Sequence, residues 1–367
     1  MEKAMIAMSG GVDSSVAAYL AREMGFSCIG VTLRLYDNQD AGYARSRTCC
    51  SLDDVEDARS VAFRLGIRYC VFNFTEPFRA GVLRPFVEDY ARGETPNPCA
   101  ACNRLIKFGG LLRRARELGC GKLVTGHYAR IQQEDGRFVL KKAADPGKDQ
   151  SYFLYSLTQE QLARILFPLG GLRKAETRRI AEEQGLVTAR KRDSQDICFA
   201  PDGDYAGAVE RCLQRTFPPG PFVDGAGRVL GEHRGIIRYT VGQRRGLGLS
   251  GPRRLYVRAL RPEDNAVVLG EERELYARAL EARDFNWISG RAPAGPVRVC
   301  ARLRSCQAEQ PAEAEVIGPD RVRIVFDRPQ RAIAPGQAVV LYDGDTVVGG
   351  GRICRELRSD PPEGYNR

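Results

Sequence analysis

Two groups of residues in this 367-residue chain have the types and spacing to do chemistry. The first is Ser9-Gly10-Gly11-Val12-Asp13-Ser14-Ser15, which follows the apolar run Ala4 to Met8 and opens a stretch of helical character from Ser14 to Met24. Two glycines let a backbone approach an anion closely. A helix N-terminus then offers unpaired N–H groups and the positive end of a dipole to phosphate oxygens. Ser9, Ser14 and Ser15 add hydroxyl donors, and Asp13 adds a carboxylate suited to Mg2+. The loop is not of the Walker type, which needs Gly-Lys-Ser/Thr, and it has no lysine of its own to hold β- and γ-phosphates. A serine-capped Gly-Gly turn without a ligand is the plain alternative.

The second group is thiols. Cys99 and Cys102 form a Cys-x-x-Cys in Thr95-Pro-Asn-Pro-Cys-Ala-Ala-Cys-Asn103, where Pro96 and Pro98 are expected to hold the chain extended before a helix that begins near Asn103. A place beside a helix N-terminus lowers a thiol pKa, and Arg104 and Lys107 act in the same direction. Cys198 follows the basic run Arg190-Lys191-Arg192. Three readings stand side by side: a reactive or cluster-binding set, inert buried cysteines, and a structural zinc site completed by Cys49 and Cys50. Adjacent cysteines are poor tetrahedral partners, which weighs against zinc. Cys28, Cys70, Cys120, Cys212, Cys300 and Cys354 sit in apolar or helical contexts and read as packing residues, while Cys49, Cys50 and Cys306 have no assignable role.

These groups need a scaffold. Ala4–Met8, Cys28–Leu35, Arg68–Phe74 and Lys122–Thr125 read as strands, and helical stretches near 14–24, 52–65, 77–90 and 105–118 separate them. Residues 158–185 read as two more helices. Strands alternating with helices predict a parallel sheet covered on both faces, with ligands beyond the carboxyl ends of the strands. After the cluster Pro218-Pro219-Gly220-Pro221 the pattern changes to short strands, among them Val297–Leu303, Arg321–Phe326 and Ala338–Tyr342, which predict a small C-terminal β-barrel. The tail from Ser359 is expected to be loose.

Composition narrows the functional classes. The chain is 43% hydrophobic and 28% charged, which excludes global disorder. No apolar run approaches the ~18 residues of a membrane helix, and the N-terminus has no secretory pattern, so a soluble cytoplasmic protein is expected. Two histidines, His127 and His233, are too few for a multi-histidine metal site. The net charge of +10 favours a polyanionic partner. From His233 to Pro262 there are eight arginines and no acid, with Tyr239 and Tyr256 offered as stacking surfaces, so this segment is expected to contact RNA.

SGGVDSS resembles the loop of the PP-loop ATP pyrophosphatases, which cleave ATP between its α- and β-phosphates. Taken in order, SGGVDSS, TPNPCAACN with IKF at 106–108, TGHYAR at 125–130, KDQSYFL at 148–154, GLVTARKRDSQDICF at 185–199, VGQRRGLGL at 241–249 and GGGRI at 349–353 are similar to the MnmA family of tRNA 2-thiouridylases within that group. The resemblance implies an α/β fold. A parallel-sheet PP-loop domain of the adenine nucleotide α-hydrolase-like type (1–204) would precede a small central tRNA-binding domain (205–282) and a C-terminal β-barrel, also tRNA-binding (283–358). It implies a tRNA-uridine 2-sulfurtransferase that uses ATP and Mg2+. The enzyme would adenylate O2 of the wobble uridine, position 34, of the tRNAs for Lys, Glu and Gln. Sulfur would come from a cysteine desulfurase or a sulfur-relay protein.

Residue by residue, the resemblance assigns Cys198 as the persulfide carrier and Cys102 as the nucleophile that releases the sulfur, with a Cys102–Cys198 disulfide in that step. Ala7, Met8, Ser9, Gly10, Gly11, Val12, Asp13 and Ser14 match the ATP loop, with Leu33 and Gly126 as further nucleotide contacts. Asn97, Pro98 and Cys99 match the segment that touches the target base. His127, Lys148, Asp149 and Gln150 match tRNA contacts, and so do Arg304, Ser305 and Gln337 from the barrel. The chain departs from the pattern at Cys99, where some members carry Asp, and at Ser305-Cys306, where others carry an aromatic and a basic residue. With a third thiol at Cys99, a [4Fe–4S] cluster on Cys99, Cys102 and Cys198 is the alternative sulfur carrier. Two other functions compete: an ammonia-transferring ATP pyrophosphatase, which needs neither thiol, and a non-catalytic RNA- or metal-binding protein.

Overall fold

A computed structural model of the chain describes residues 1–36, 52–193, 197–200, 203–249 and 253–357. Cys49, Cys50, the Ser194-Gln195-Asp196 part of the Cys198 segment and the tail from Ser359 lie outside the described residues.

The first half runs β1 (Lys3–Ala7), α1 (Val12–Glu23), β2 (Ser27–Arg34), α2 (Leu52–Arg64), β3 (Arg68–Asn73), α3 (Thr75–Phe78), α4 (Arg84–Ala91), α5 (Pro98–Cys102), α6 (Leu112–Glu117), β4 (Lys122–Thr125), β5 (Arg130–Glu134), β6 (Arg137–Lys141), α7 (Gln159–Leu162), β7 (Ile165–Leu166), α8 (Lys174–Glu183) and α9 (Tyr205–Leu213). Five strands pair in parallel in the order β3-β2-β1-β4-β7. Strand alternation sorts the core. Ala4, Ile6 and Met8 pack under α1, α2 and α8, while Met5 packs on the opposite face with Leu111, Leu112 and Leu123. The chain leaves β1 towards β2 on one side, and β4 joins β1 on the other. The crevice at the carboxyl ends of β1 and β4 is therefore the switch point where such sheets bind ligands.

The four strands expected here appear within one residue of their expected ends. Two expectations are corrected. The helix placed from residue 105 starts at Pro98. Asn97 caps it, its Oδ1 accepting from the Ala100 N–H at 3.1 Å, and proline is preorganised for a first helical position. Wider π-helical turns over Arg79–Leu83 and Asn103–Leu111 join α3 to α4 and α5 to α6. The first of the two helices expected in 158–185 is the single turn α7, capped by Thr158, and it leads directly into β7.

The second half holds two sheets. β8 (Gly220–Val223), β9 (Val229–His233), β10 (Tyr256–Arg261) and β11 (Ala266–Gly270) pair in the order β10-β11-β8-β9. β12 (Tyr276–Trp287), β13 (Val297–Arg302), β14 (Gln310–Gly318), β15 (Arg321–Arg331), β16 (Ala338–Asp343) and β17 (Thr346–Leu357) close into an antiparallel barrel when β17 pairs back on β12. β12 runs unbroken through the boundary expected at 282/283 and belongs to the barrel from Tyr276. The β5–β6 hairpin of the first half joins this barrel at Thr346 opposite Lys141.

Buried polar contacts weld the barrel to the first domain. The Arg302 guanidinium reaches Asp149 at 3.3 Å and Glu309 at 2.7 Å, and Lys142 Nζ reaches Glu309 at 2.7 Å. The Tyr152 hydroxyl donates to the barrel carbonyls of Ala338 (2.8 Å) and Leu303 (3.2 Å). Arg352 of β17 pairs with Asp89 and Glu94 beside the Thr95–Cys99 segment. The Gln337 Nε2 donates to the Thr95 carbonyl at 2.9 Å, and the Thr95 N–H donates back to the Pro335 carbonyl at 2.8 Å. Among the described residues, no helix is long and apolar enough to cross a membrane.

Candidate active site

The Ser9–Ser15 loop turns at the carboxyl end of β1. Ser14 folds inward: its hydroxyl accepts from the Ser9 N–H at 3.1 Å and donates to the Gly11 carbonyl at 3.0 Å. The N-cap of α1 is Gly11, so no side chain occupies the amides of the first turn. Those amides remain available to an anion. Gly10 has φ +73°, and a Cβ there would lie 2.3 Å from the Asp54 carbonyl oxygen. Gly126, at the end of β4, is as tightly constrained: a Cβ would lie 2.7 Å from the Asp13 carbonyl carbon. The two strand ends thus meet at the loop, with Leu33 on the neighbouring β2.

Asp13 lies in a charged network that sequence reasoning did not find. Its Oδ1 accepts from Lys174 Nζ at 2.6 Å and from the Tyr128 hydroxyl at 2.9 Å. Lys174 also pairs with Asp193 at 2.8 Å, and Asp193 takes Lys148 and Arg178 at the same distance. Burial pulls the Asp193 carboxyl up, but hydrogen bonds from Lys148 and Lys174 outweigh it and hold the group below its ordinary range. Burial, reinforced by the Asp13 charge, pushes the Tyr128 hydroxyl well above its ordinary value, so it donates as a neutral phenol. Lys174 opens α8, and no periodicity in the sequence points from there to the loop. The available signal was its type: it is one of only eight lysines in a chain with 48 arginines.

The thiols differ in position from what the sequence suggested. Cys102 closes α5 from inside a continuous rod, is buried, and burial pushes its thiol up against a smaller opposing effect of Lys107. This corrects the expectation of a lowered pKa, which rested on a helix beginning at Asn103. Cys99 is the residue near the helix start, and it is exposed. Cys198 is half-buried and packs on the apolar cluster that contains Cys102, Leu35, Tyr36, Phe86 and Phe199. Leu33 also packs on that cluster, so it extends to the end of β2 beside the nucleotide loop. The Tyr36 hydroxyl donates to the Cys198 carbonyl at 2.7 Å. Among the described residues no three His, Cys, Asp or Glu side chains stand together as metal ligands, so Cys99, Cys102 and Cys198 do not form a cluster site in this arrangement.

Several residues matched to RNA contacts are committed inside the protein. His127 is 7% exposed, bonded to the Thr125 hydroxyl at 2.7 Å, and flanked by Phe108 and Phe167. Burial, then the Lys107 charge, pulls its pKa well below the ordinary value. The sign follows: the folded chain refuses a proton that the unfolded chain accepts below about pH 6.5. Stability is therefore expected to be full above that pH and to fall below it by up to ~1.4 kcal/mol per pH unit. Urea unfolding from pH 7.5 to 5 measures the slope, and His127→Gln should remove its share.

Asp149 accepts from the N–H groups of Ala143 and Ser151, the Ser151 hydroxyl and Arg302. The Gln150 Oε1 accepts from the Tyr128 N–H at 2.9 Å, and Lys148 is held by Asp193. Arg304 binds the carbonyls of Val241 and Ala332, and Gln337 binds Thr95. Ser305 is exposed. Tyr239 and Tyr256, expected to stack on bases, are 4% and 6% exposed, so neither offers a face. What the basic segment does present is Arg234, Arg244, Arg245 and Arg254, all exposed, whereas Arg238, Arg253, Arg258 and Arg261 pair with Glu210, Glu271, Glu274 and Asp264.

Comparison with known proteins covers nearly the whole chain. Residues 2–202 match the family described as the tRNA methyl transferase HUP domain, 208–271 its PRC-barrel domain, and 277–353 the aminomethyltransferase beta-barrel domain. A Moorella thermoacetica protein named tRNA-specific 2-thiouridylase MnmA is 51% identical over 351 residues, covering 95% of this chain and 98% of its own. Proteins of the same name from Symbiobacterium thermophilum and Clostridioides difficile are 49% and 47% identical, each over 97% of this chain and over 93% and 99% of their own. The domain descriptions speak of methyl transfer, but the full-length relatives carry the thiouridylase name, and identity near one half across all three domains places the chain with them. It belongs to the tRNA-specific 2-thiouridylase family.

Proposed function

We propose that the chain thiolates position 2 of uridine 34 in the tRNAs for Lys, Glu and Gln, in the cytoplasm, with sulfur delivered by a cysteine desulfurase or a relay protein. The observation that supports the reading is the adjacency of β1 and β2 in the sheet. A loop with open helix-start amides ends β1, and the apolar cluster that holds Cys102 and Cys198 also takes Leu33 from the end of the adjacent β2.

The uracil O2 attacks the α-phosphorus of ATP. The O2–P bond forms, the P–O bond to the β-phosphate breaks with its electron pair leaving on pyrophosphate, and the N3 proton passes to solvent. The terminal sulfur of a Cys198 persulfide then attacks C2, and AMP leaves. Cys102 next attacks the Cys198 sulfur. The S–S bond breaks toward the sulfur on C2, which becomes the thiocarbonyl as N3 regains a proton. The two thiols are left as a disulfide that a dithiol reductant reopens. Burial pushes the Cys102 thiol up, so its proton leaves only as the sulfur attacks. A wobble base lies in a single-stranded loop and can be splayed out without breaking a duplex.

Mg2+ fits this site through Asp13, because a nucleotide-borne Mg2+ takes most of its ligands from phosphate and water and needs one carboxylate. It would neutralise polyphosphate charge. Asn97, Pro98 and Cys99, at the start of α5, would face the base, and Arg234, Arg244, Arg245 and Arg254 would contact phosphates. Chain units near 1–204, 205–275 and 276–357 would serve catalysis, RNA docking and RNA docking with clamping in turn. The test is incubation with ATP, a persulfide donor and unmodified tRNA, followed by mass analysis of nucleosides. Formation of 2-thiouridine at position 34 is expected, and its absence with active donor overturns the reading.

A further inference from the structure

We propose that Lys174 is a polyphosphate-binding residue of the ATP site, supplied by α8 to a loop that has no lysine of its own; this rests on the reading of the loop as the ATP site. The loop's problem is electrostatic. A triphosphate seated on the first turn of α1 lies beside the Asp13 carboxylate, and like charges repel unless a cation stands between them. Lys174 Nζ is already there, 2.6 Å from Asp13, on a side chain only 12% exposed.

The network also shows which cation can turn to a ligand. Asp13, Asp193 and Asp145, which accepts from the Lys174 N–H, carry three negative charges against three positive ones on Lys148, Lys174 and Arg178, so the cluster is balanced. Lys174 is the member shared by both carboxylates. If it turns away, Asp13 keeps the Tyr128 hydroxyl at 2.9 Å, and Asp193 keeps Lys148 and Arg178 at 2.8 Å each. Each carboxylate then keeps a hydrogen-bond donor, the neutral Tyr128 phenol for Asp13 and two cations for Asp193. The backbone need not move: the Lys174 N–H is fixed to Asp145 at 2.9 Å, and Thr177 of the same helix bonds the Tyr128 hydroxyl at 2.9 Å. Only the four-carbon stem has to swing. In the nucleotide complex Lys174 then neutralises the charge that builds on pyrophosphate as the P–O bond breaks, the role for which a preorganised cation is most effective.

The experiment compares the full-length protein with Lys174→Met, and with Lys174→Gln, which keeps a donor for Asp13 but not the charge. Pyrophosphate release with saturating tRNA, the KM for ATP, the KM for tRNA and inhibition by inorganic pyrophosphate are read. Both variants should lose about 100-fold in pyrophosphate release. KM for ATP and the inhibition constant of pyrophosphate should rise at least about tenfold. KM for tRNA should not move. A purely structural ion pair would lower the melting temperature and leave the ATP and pyrophosphate constants at wild-type values, and that result overturns the proposal. If the Met variant does not fold, the Gln variant decides. Wild-type protein that makes no 2-thiouridine refutes the proposed function instead, a different outcome in a different sample.

Discussion

Cys198→Ala is expected to abolish 2-thiouridine formation, by 10³-fold or more, while tRNA-dependent pyrophosphate release continues at a rate near that of the intact protein. The two half-reactions use different parts of the crevice. On the proposed reading adenylation draws on the loop amides and the Asp13 network, whereas Cys198 packs on the apolar cluster around Cys102. Sulfur transfer by this route has no carrier without the Cys198 thiol, and Cys102, being buried, is poorly exposed to a protein donor that would load it. Cys198 is half-buried, so its truncation removes little packing. The assay pairs phosphate detection with nucleoside mass analysis on the same reaction. Thiolation by the alanine variant at an undiminished rate would remove the persulfide mechanism and return Cys198 to a packing role.

Asp149→Ala is expected to destabilise the protein by ~3–5 kcal/mol, the range for stripping one partner from a buried ion pair. Asp149 and Glu309 balance Arg302 and Lys142 between the catalytic domain and the barrel. The Asp149 side chain is 5% exposed and Arg302 14%, so deletion leaves an excess positive charge out of reach of water. The Ser151 hydroxyl and the N–H groups of Ala143 and Ser151 lose their acceptor as well. Denaturant unfolding measures the loss. A residue that only touched RNA would instead weaken tRNA binding and leave the unfolding curve in place, so this variant separates the two roles of the Lys148-Asp149-Gln150 stretch.

The legibility of the chain followed the range of the interactions. The loop, the parallel strands and the change to short β-strands after Pro221 are written in local pattern, and each could be read from its own residues. Cys102 was misplaced because Pro98 was read as extending the chain when it starts a helix; Asn97 three residues before Ala100 was the overlooked cap. Lys174 meets Asp13 across 161 residues, and Asp149 meets Arg302 across 153, and no period or motif spacing encodes such pairs. The same blindness affected Tyr239 and Tyr256. Aromatic type among arginines suggested stacking on bases, whereas folding buried Tyr239 against Phe222 and set Tyr256 under Arg331.

The clamp that Gln337, Pro335 and Arg352 place on Glu94 and Thr95 has a consequence for how the protein is made. Thr95 is synthesised 242 residues before Gln337, the barrel residue that bonds its carbonyl. Until Pro335, Gln337 and Arg352 have been made, Glu94 and Thr95 lack these partners. A product truncated before Pro335 would therefore lack the contacts that hold Glu94 and Thr95 against the barrel.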